Sequence, residues 1–193
     1  MEDLKRLQYL YGLKKEIRYA QTRTQDDSTE SVAEHIYGMH ICAMYFLALE
    51  NPGGSWDKVR IYEMMTVHDI DEVETGDVLG YLKNETMKAA EADAIRVVME
   101  KSPVVMQSQM ASLIDEYDVQ VTPESRFVKA IDKIEPLVQC YNAAGKAIFH
   151  SNKTTEADSR TMKDKYTKDF PFIQKFSDVI QSAMVEEGIF YKV

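Results

Sequence analysis

The chain has 193 residues, 45% hydrophobic and 28% charged, the proportions of a globular protein with room for one full-sized core. Its 32 acidic and 23 basic residues leave a net charge of −9, which repels polyanions and argues against a nucleic-acid polymer as partner, while leaving room for a small phosphorylated ligand. No apolar run approaches the roughly 20 residues that span a bilayer, and Met1–Lys5 lacks the basic-then-apolar pattern of a secretion signal. Cys42 and Cys140, without Cys-x-x-Cys spacing, read as reduced core thiols. The expectation is a cytoplasmic protein with no membrane partner.

Apolar residues recur with a 3.6-residue period, and strict alternation is nowhere sustained. The pattern predicts helices over 3–20, 31–50, 56–70, 84–101, 104–117, 123–150, 155–168 and 172–187. Ser31-Val-Ala-Glu34 reads as a capping box that starts the second of these. Asn51-Pro-Gly-Gly-Ser55 ends it, with Ser55 as the cap of the next. Ser102-Pro103 and Thr122-Pro123 each read as a cap followed by proline at the first helical position. With no repeat and no composition break, the expected fold is all-α, one domain over residues 1–193.

Four histidines, His35, His40, His68 and His150, limit where imidazole chemistry can occur. His35 lies about 70° from the middle of the Val32/Ile36/Met39/Ala43/Leu47 face and can look inward at its edge. His40 lies about 140° further round, so the two cannot easily share an ion; His40 and His150 read as structural or surface groups. His68-Asp69 ends an apolar segment and is followed by Asp71, Glu72, Glu74 and Asp77 within eight residues. Without His68 this would read as a solvated acidic loop. Asp132 sits at the margin of the Phe127/Val128/Ile131/Ile134/Val138 face, and Glu135 projects among those apolar positions, where it should meet an arginine or lysine. Imidazole with carboxylates and no thiolate suits a divalent transition metal with room for water, and that points to hydrolysis. Arg18 and Arg23 offer planar donor forks for phosphate, with Tyr19 positioned to pack on a sugar or base.

Four segments, Leu13–Tyr19, Glu30-Ser-Val-Ala-Glu-His35, His68-Asp69-x-x-Glu72-Val-x-Thr-Gly-Asp77 and Lys129-Ala-Ile-Asp132-Lys-Ile-Glu135, resemble the HD-domain phosphohydrolases, and within them the 5′-deoxynucleotidase branch. The resemblance covers roughly residues 4 to 150 and leaves the C-terminal helices over 151–193 outside it. It implies a single HD-domain helical bundle with a metal site between helices. The implied ligands are His35, His68, Asp69 and Asp132, with Glu72 as catalytic acid/base, Arg18 on the phosphate and Asp77 on the sugar 3′-hydroxyl. The implied activity is phosphate release from (deoxy)ribonucleoside 5′-monophosphates, using one divalent ion (manganese, cobalt, iron, nickel or zinc). No histidine falls between His68 and Asp132, where a second ion would find its extra ligands. Tyr19 stands where the bacterial enzymes carry a tryptophan that crowds the 2′ position, so ribonucleotide exclusion is not implied. Val78–Lys83 also lacks the prolines of the bacterial version. Asp71 and Glu74 would raise the Glu72 pKa. The alternatives are a phosphohydrolase for another metabolite or nucleotide, and a non-catalytic metal- or nucleotide-binding module. The eleven methionines and eleven tyrosines would serve either a homodimer interface or a core, of which core is the commoner use.

Overall fold

A computed structural model describes residues 2–19, 21, 29–78 and 85–192. Arg23 and most of the segment after Val78 lie outside these residues. Among the described residues ten α-helices run in chain order: α1 Glu2–Leu10, α2 Val32–Glu50, α3 Lys58–Val67, α4 Glu72–Thr75, α5 Glu85–Lys101, α6 Val104–Val119, α7 Pro123–Gln139, α8 Ala143–Ser151, α9 Glu156–Thr167 and α10 Pro171–Glu186. Among the described residues the only β-pairing is one isolated bridge, so the fold is all-α as expected.

Helix α7 is the axis of the bundle and packs against α2, α3, α6, α9 and α10. Its apolar residues Phe127, Val128, Ile131, Ile134 and Leu137 are fully buried, and a contiguous apolar core extends from Leu13 to Phe190. Helix α2 starts where its sequence says it should: Ser31 accepts from Glu34 N while the Glu34 side chain accepts from Ser31 N. Thr122 likewise caps α7, with Pro123 in its first turn.

Four departures from the expected helices have local causes. The first predicted helix does not reach residue 20; α1 ends at Leu10, a 3₁₀ turn covers Tyr11–Lys14 and the chain then extends. There Arg18 N donates to Glu30 O and Val32 N to Glu16 O, both at 3.0 Å, around an antiparallel bridge between Ile17 and Ser31. Non-local pairing has overridden local helical preference. Ser55 is not the cap of α3: it donates to Asn51 Oδ1, and Asp57 accepts from Arg60 N instead. Ser102 closes α5 by donating to Val98 O, and Pro103 is the residue preceding α6. The predicted 123–150 helix is two. Asn142 is extended and caps α8 through Gly145 N, and a Cβ at Gly145 would collide with the Cys140 carbonyl.

Val32–Glu50 is, by length and composition, apolar enough to cross a membrane, with about a third of it buried here. No continuous apolar run had suggested this, because Glu34, His35, His40 and Gly38 interrupt it. Its inner residues Val32, His35, Met39, Ala43, Phe46 and Leu47 face the core, and Tyr37, Ile41, Met44 and Tyr45 are exposed.

Candidate active site

The first turn of α2, the end of α3, the turn into α4 and the middle of α7 bring His35, His68, Asp69 and Asp132 together. His35 is fully buried, and its ring centroid lies 5.8 Å from that of His68. His68 Nδ1 is 2.9 Å from the Met65 carbonyl, which can only accept, so Nδ1 carries the proton and Nε2 presents its lone pair. His35 Nδ1 is 2.6 Å from Glu135 Oε2, which again turns Nε2 toward the site. Neither Nε2 makes a well-formed hydrogen bond; they lie 3.5 Å from Asp132 Oδ1 and 3.0 Å from Asp69 Oδ2.

These orphaned atoms are the test of whether a metal fits. Ligand atoms of His35, His68 and Asp132 all lie within 4.8 Å of one another, a spacing at which one ion can be held. Asp132 Oδ2 accepts from Tyr117 Oη and sits 2.9 Å from Lys133 Nζ, so its other oxygen is oriented toward the histidines. Pro136 has no amide to bond the Asp132 carbonyl, which loosens α7 at this turn. Glu30, His35 and Glu135 form a second group of suitable spacing. His35, His68 and Asp132 have the spacing to hold a divalent ion, and Asp69 Oδ2 stands beside them, 3.0 Å from His68 Nε2.

Glu135 was expected beside an arginine or lysine and instead supports His35. It can do so because residue 38 is glycine: any Cβ there would meet the Glu135 carboxylate. Burial and Arg18 would lower the His35 pKa, yet Glu135 and Asp132 outweigh them and raise it to about 9. Burial alone would raise Asp69 and Asp132, but His68 lowers the first, while Lys133 and His35 hold the second well below the usual carboxylate range. Without metal, a proton on His35 therefore balances the two carboxylates. A metal held by His35 would have to displace that proton, so its apparent affinity should rise with pH below about 9, by up to about tenfold per pH unit for one proton released. Chelator competition between pH 6.5 and 8.5 measures this; a flat profile would mean His35 binds the metal without losing a proton.

Glu72 opens α4, three residues after Asp69. It is buried, and its Oε2 has no partner. Burial, then Asp69 and Asp77, raise its pKa to about 10 against the opposing pull of Arg18. Of the two neighbours expected to do this, Asp71 contributes, but Glu74 does not, because it is exposed and bonded to Tyr9 and Lys101.

Arg18 is buried, with Nε 3.3 Å from Glu30 Oε1 and Nη1 3.8 Å from Asp69 Oδ2. Tyr19 follows at φ 62°, an unusual conformation for a bulky residue, held there by a 2.8 Å bond from its amide to Asp77 Oδ2. Its hydroxyl donates to Glu30. One oxygen of Asp77 is thus committed to the backbone. Arg18, Tyr19, Asp69, Glu72, Asp77 and Asp132 line a cleft of about 140 Å³. Sequence reasoning did not single out the lysines there, Lys129, Lys133 and Lys163, which with Arg18 offset the five carboxylates lining the cleft. Lys129 and Lys133 flank Asp132 at −3 and +1, the signal that was available. His40, stacked on Tyr62 and bonded to the Ile36 carbonyl, and His150, near the Gly188 carbonyl, stand outside the site.

A helical bundle with a buried histidine–carboxylate cluster beside a cleft lined by carboxylates, lysines and an arginine defines the class. Residues 10–174 match the HD-domain family, and the chain belongs to it. The chain is 29% identical over 112 residues to the 5′-deoxynucleotidase HDDC2 of Bos taurus, covering 57% of this chain and 52% of that protein. It is 31% identical over 121 residues to the 5′-deoxynucleotidase hdd1 of Schizosaccharomyces pombe, covering 60% and 59%. The matches span a little over half the length of these relatives. A predicted metal-dependent phosphohydrolase of Magnetospirillum magnetotacticum shares the fold with a TM-score of 0.82 at 19% identity, over 99% of this chain and 97% of that one.

Proposed function

We propose that the protein is a metal-dependent phosphomonoesterase that releases phosphate from nucleoside 5′-monophosphates, with all of its residues 1–193 in one HD domain. The names of its relatives support the substrate class. The observation that carries the reading is Glu72, a buried carboxyl with a free oxygen, one turn from Asp69 and in the same cleft as Arg18.

His35, His68, Asp69 and Asp132 would hold one divalent ion, which supplies charge neutralisation of the phosphate and a more acidic water. Arg18 presents guanidinium N–H groups to the phosphate oxygens, with Lys133 adding charge from α7. Glu72, protonated at neutral pH by its surroundings, donates to the leaving 5′ oxygen as the P–O bond breaks, and recovers a proton from the attacking water. Asp77 retains one oxygen for the sugar hydroxyl, and Tyr19 closes the side of the cleft against the sugar. The native metal among manganese, cobalt, iron, nickel and zinc is a matter of affinity and supply.

The test is phosphate release from 5′-deoxy- and ribonucleotides, 3′-nucleotides and simple esters, with metal-free protein reloaded with manganese, cobalt or zinc. Release confined to 5′-monophosphates and dependent on metal is the expected result. Release from a different ester would make this a phosphohydrolase of another metabolite, and tight nucleotide binding without turnover would make it a binding module.

We further infer a cytoplasmic enzyme, in keeping with the free thiols of Cys42 and Cys140, acting on a small nucleotide rather than a nucleic-acid polymer or membrane. The exposed Tyr37, Ile41, Met44 and Tyr45 of α2 suit a homodimer contact. Two copies at −9 each repel, and an uncharged, self-matching stripe is the face on which they can meet. Light scattering on Ile41→Glu/Met44→Glu should show a dimer become a monomer; a monomeric wild type would end the idea.

A further inference from the structure

Beyond the phosphate end, the cleft is bounded by α8 and α9. Pro136, Ile148, Phe149 and Met162 provide apolar surface, and Ser159 and Lys163 interrupt it. Ser159 is 5% exposed, and its Oγ has no hydrogen-bond partner. A helical serine ordinarily turns its hydroxyl to the carbonyl four residues back, but here the Thr155 carbonyl takes only the Ser159 amide. The hydroxyl is thus left for something in the cleft. Lys163 lies one turn further along the same face of α9, 6% exposed. Its Nζ gives one hydrogen bond to the Lys133 carbonyl at 3.0 Å, and an ammonium has two more to give.

Apolar surface with a few buried polar groups beside it is what a heteroaromatic ring requires. An ammonium can only donate, so it accepts a ring carbonyl and opposes an exocyclic amine. The hydroxyl can give or take and tolerates either neighbour. We propose that Ser159 and Lys163 form the base-reading end of the cleft and favour nucleotides whose base carries a carbonyl oxygen (uracil, thymine, hypoxanthine or guanine) at the edge where adenine and cytosine carry an exocyclic amine. The proposal rests on the nucleotidase reading and extends it from phosphate to base.

Deoxyinosine and deoxyadenosine 5′-monophosphates test it, since their bases differ at the carbonyl-for-amine edge. Deoxyribose 5-phosphate, which has no base, is the control. With metal-loaded protein, kcat/KM should favour the inosine nucleotide at least fivefold. Ser159→Ala should lower it about five- to tenfold for that substrate and leave deoxyribose 5-phosphate unchanged. Lys163→Met should erase the inosine-over-adenosine ratio. Ser159 has no bond within the protein to lose, so its variant folds even where Lys163→Met does not. Equal losses on the base-free ester would assign these groups to sugar or phosphate and overturn the proposal, as would an unchanged ratio. If the wild type releases phosphate from no ester, the nucleotidase reading has failed, and calorimetric binding of the two nucleotides decides the base preference: tighter inosine binding that Ser159→Ala weakens supports it, and equal binding refutes it.

Discussion

Glu72→Ala should lower kcat by about a thousandfold, within the 10²–10⁴ range of a positioned acid or base, while the protein keeps its metal. The argument is geometric first. Glu72 shares a turn with Asp69 and lines the cleft with Arg18, and its Oε2 is buried with no partner inside the protein. Its pKa is pushed up to about 10, further than that of Glu30 at about 7, whereas those of Asp69 and Asp132 are pushed down. Two kinds of work are thereby separated: depressed carboxylates are suited to hold a cation, and a raised carboxyl to carry a proton. Arg18→Ala should behave differently. It removes a phosphate contact present before and during reaction, so KM should rise more than it does for Glu72→Ala. It also leaves Glu30 and Asp77 without their shared cation, so its effect on stability should exceed that of the Glu72 change. Loss of metal from Glu72→Ala, measured by elemental analysis after gel filtration, would show that this residue is a ligand.

Much of this site was legible because its residues are local signals. The capping box Ser31–Glu34 sets where α2 begins and so the face His35 occupies. His68-Asp69 followed by Glu72 is a contiguous string whose spacing survives any error in helix ends. What the sequence could not reveal depends on contacts between distant segments. Glu135 was paired on chemical grounds with an arginine or lysine, and nothing local says that Gly38, almost a hundred residues away, clears a path to His35. The bridge between Ile17 and Ser31 competes with a helix that local pattern favours, and only the folded chain shows that the bridge wins. The break between α7 and α8 is marked by Asn142 and Gly145, but Pro136, a more conspicuous helix breaker, lies inside α7. The base-facing wall belongs to helices whose motifs carry no chemistry in isolation; Ser159 becomes notable only because its hydroxyl has nothing else to bond.

Asp132→Asn should abolish the stabilisation that metal confers. For the wild type, an ion present at 100 times its Kd adds about 2.7 kcal/mol, which raises the Tm of a chain this size by about 5–10 °C. Asparagine keeps the shape of Asp132 and an acceptor for Tyr117, so the Tyr117 bond survives while the negative charge facing His35 Nε2 is lost. Lys133 loses its carboxylate partner, and Lys129 a nearby one, so the metal-free Tm should fall as well. The diagnostic is therefore the difference between metal-free and metal-loaded Tm within each protein, read by calorimetry, with elemental analysis beside it. A shift near zero in the variant places the ion on Asp132. A shift as large as in the wild type would move it to the buried Glu30–His35–Glu135 group, and Glu30→Gln would then be the change that removes it. That second arrangement would leave Asp132 to hold lysines rather than metal, and would detach the ion from the cleft in which Glu72 and Arg18 stand.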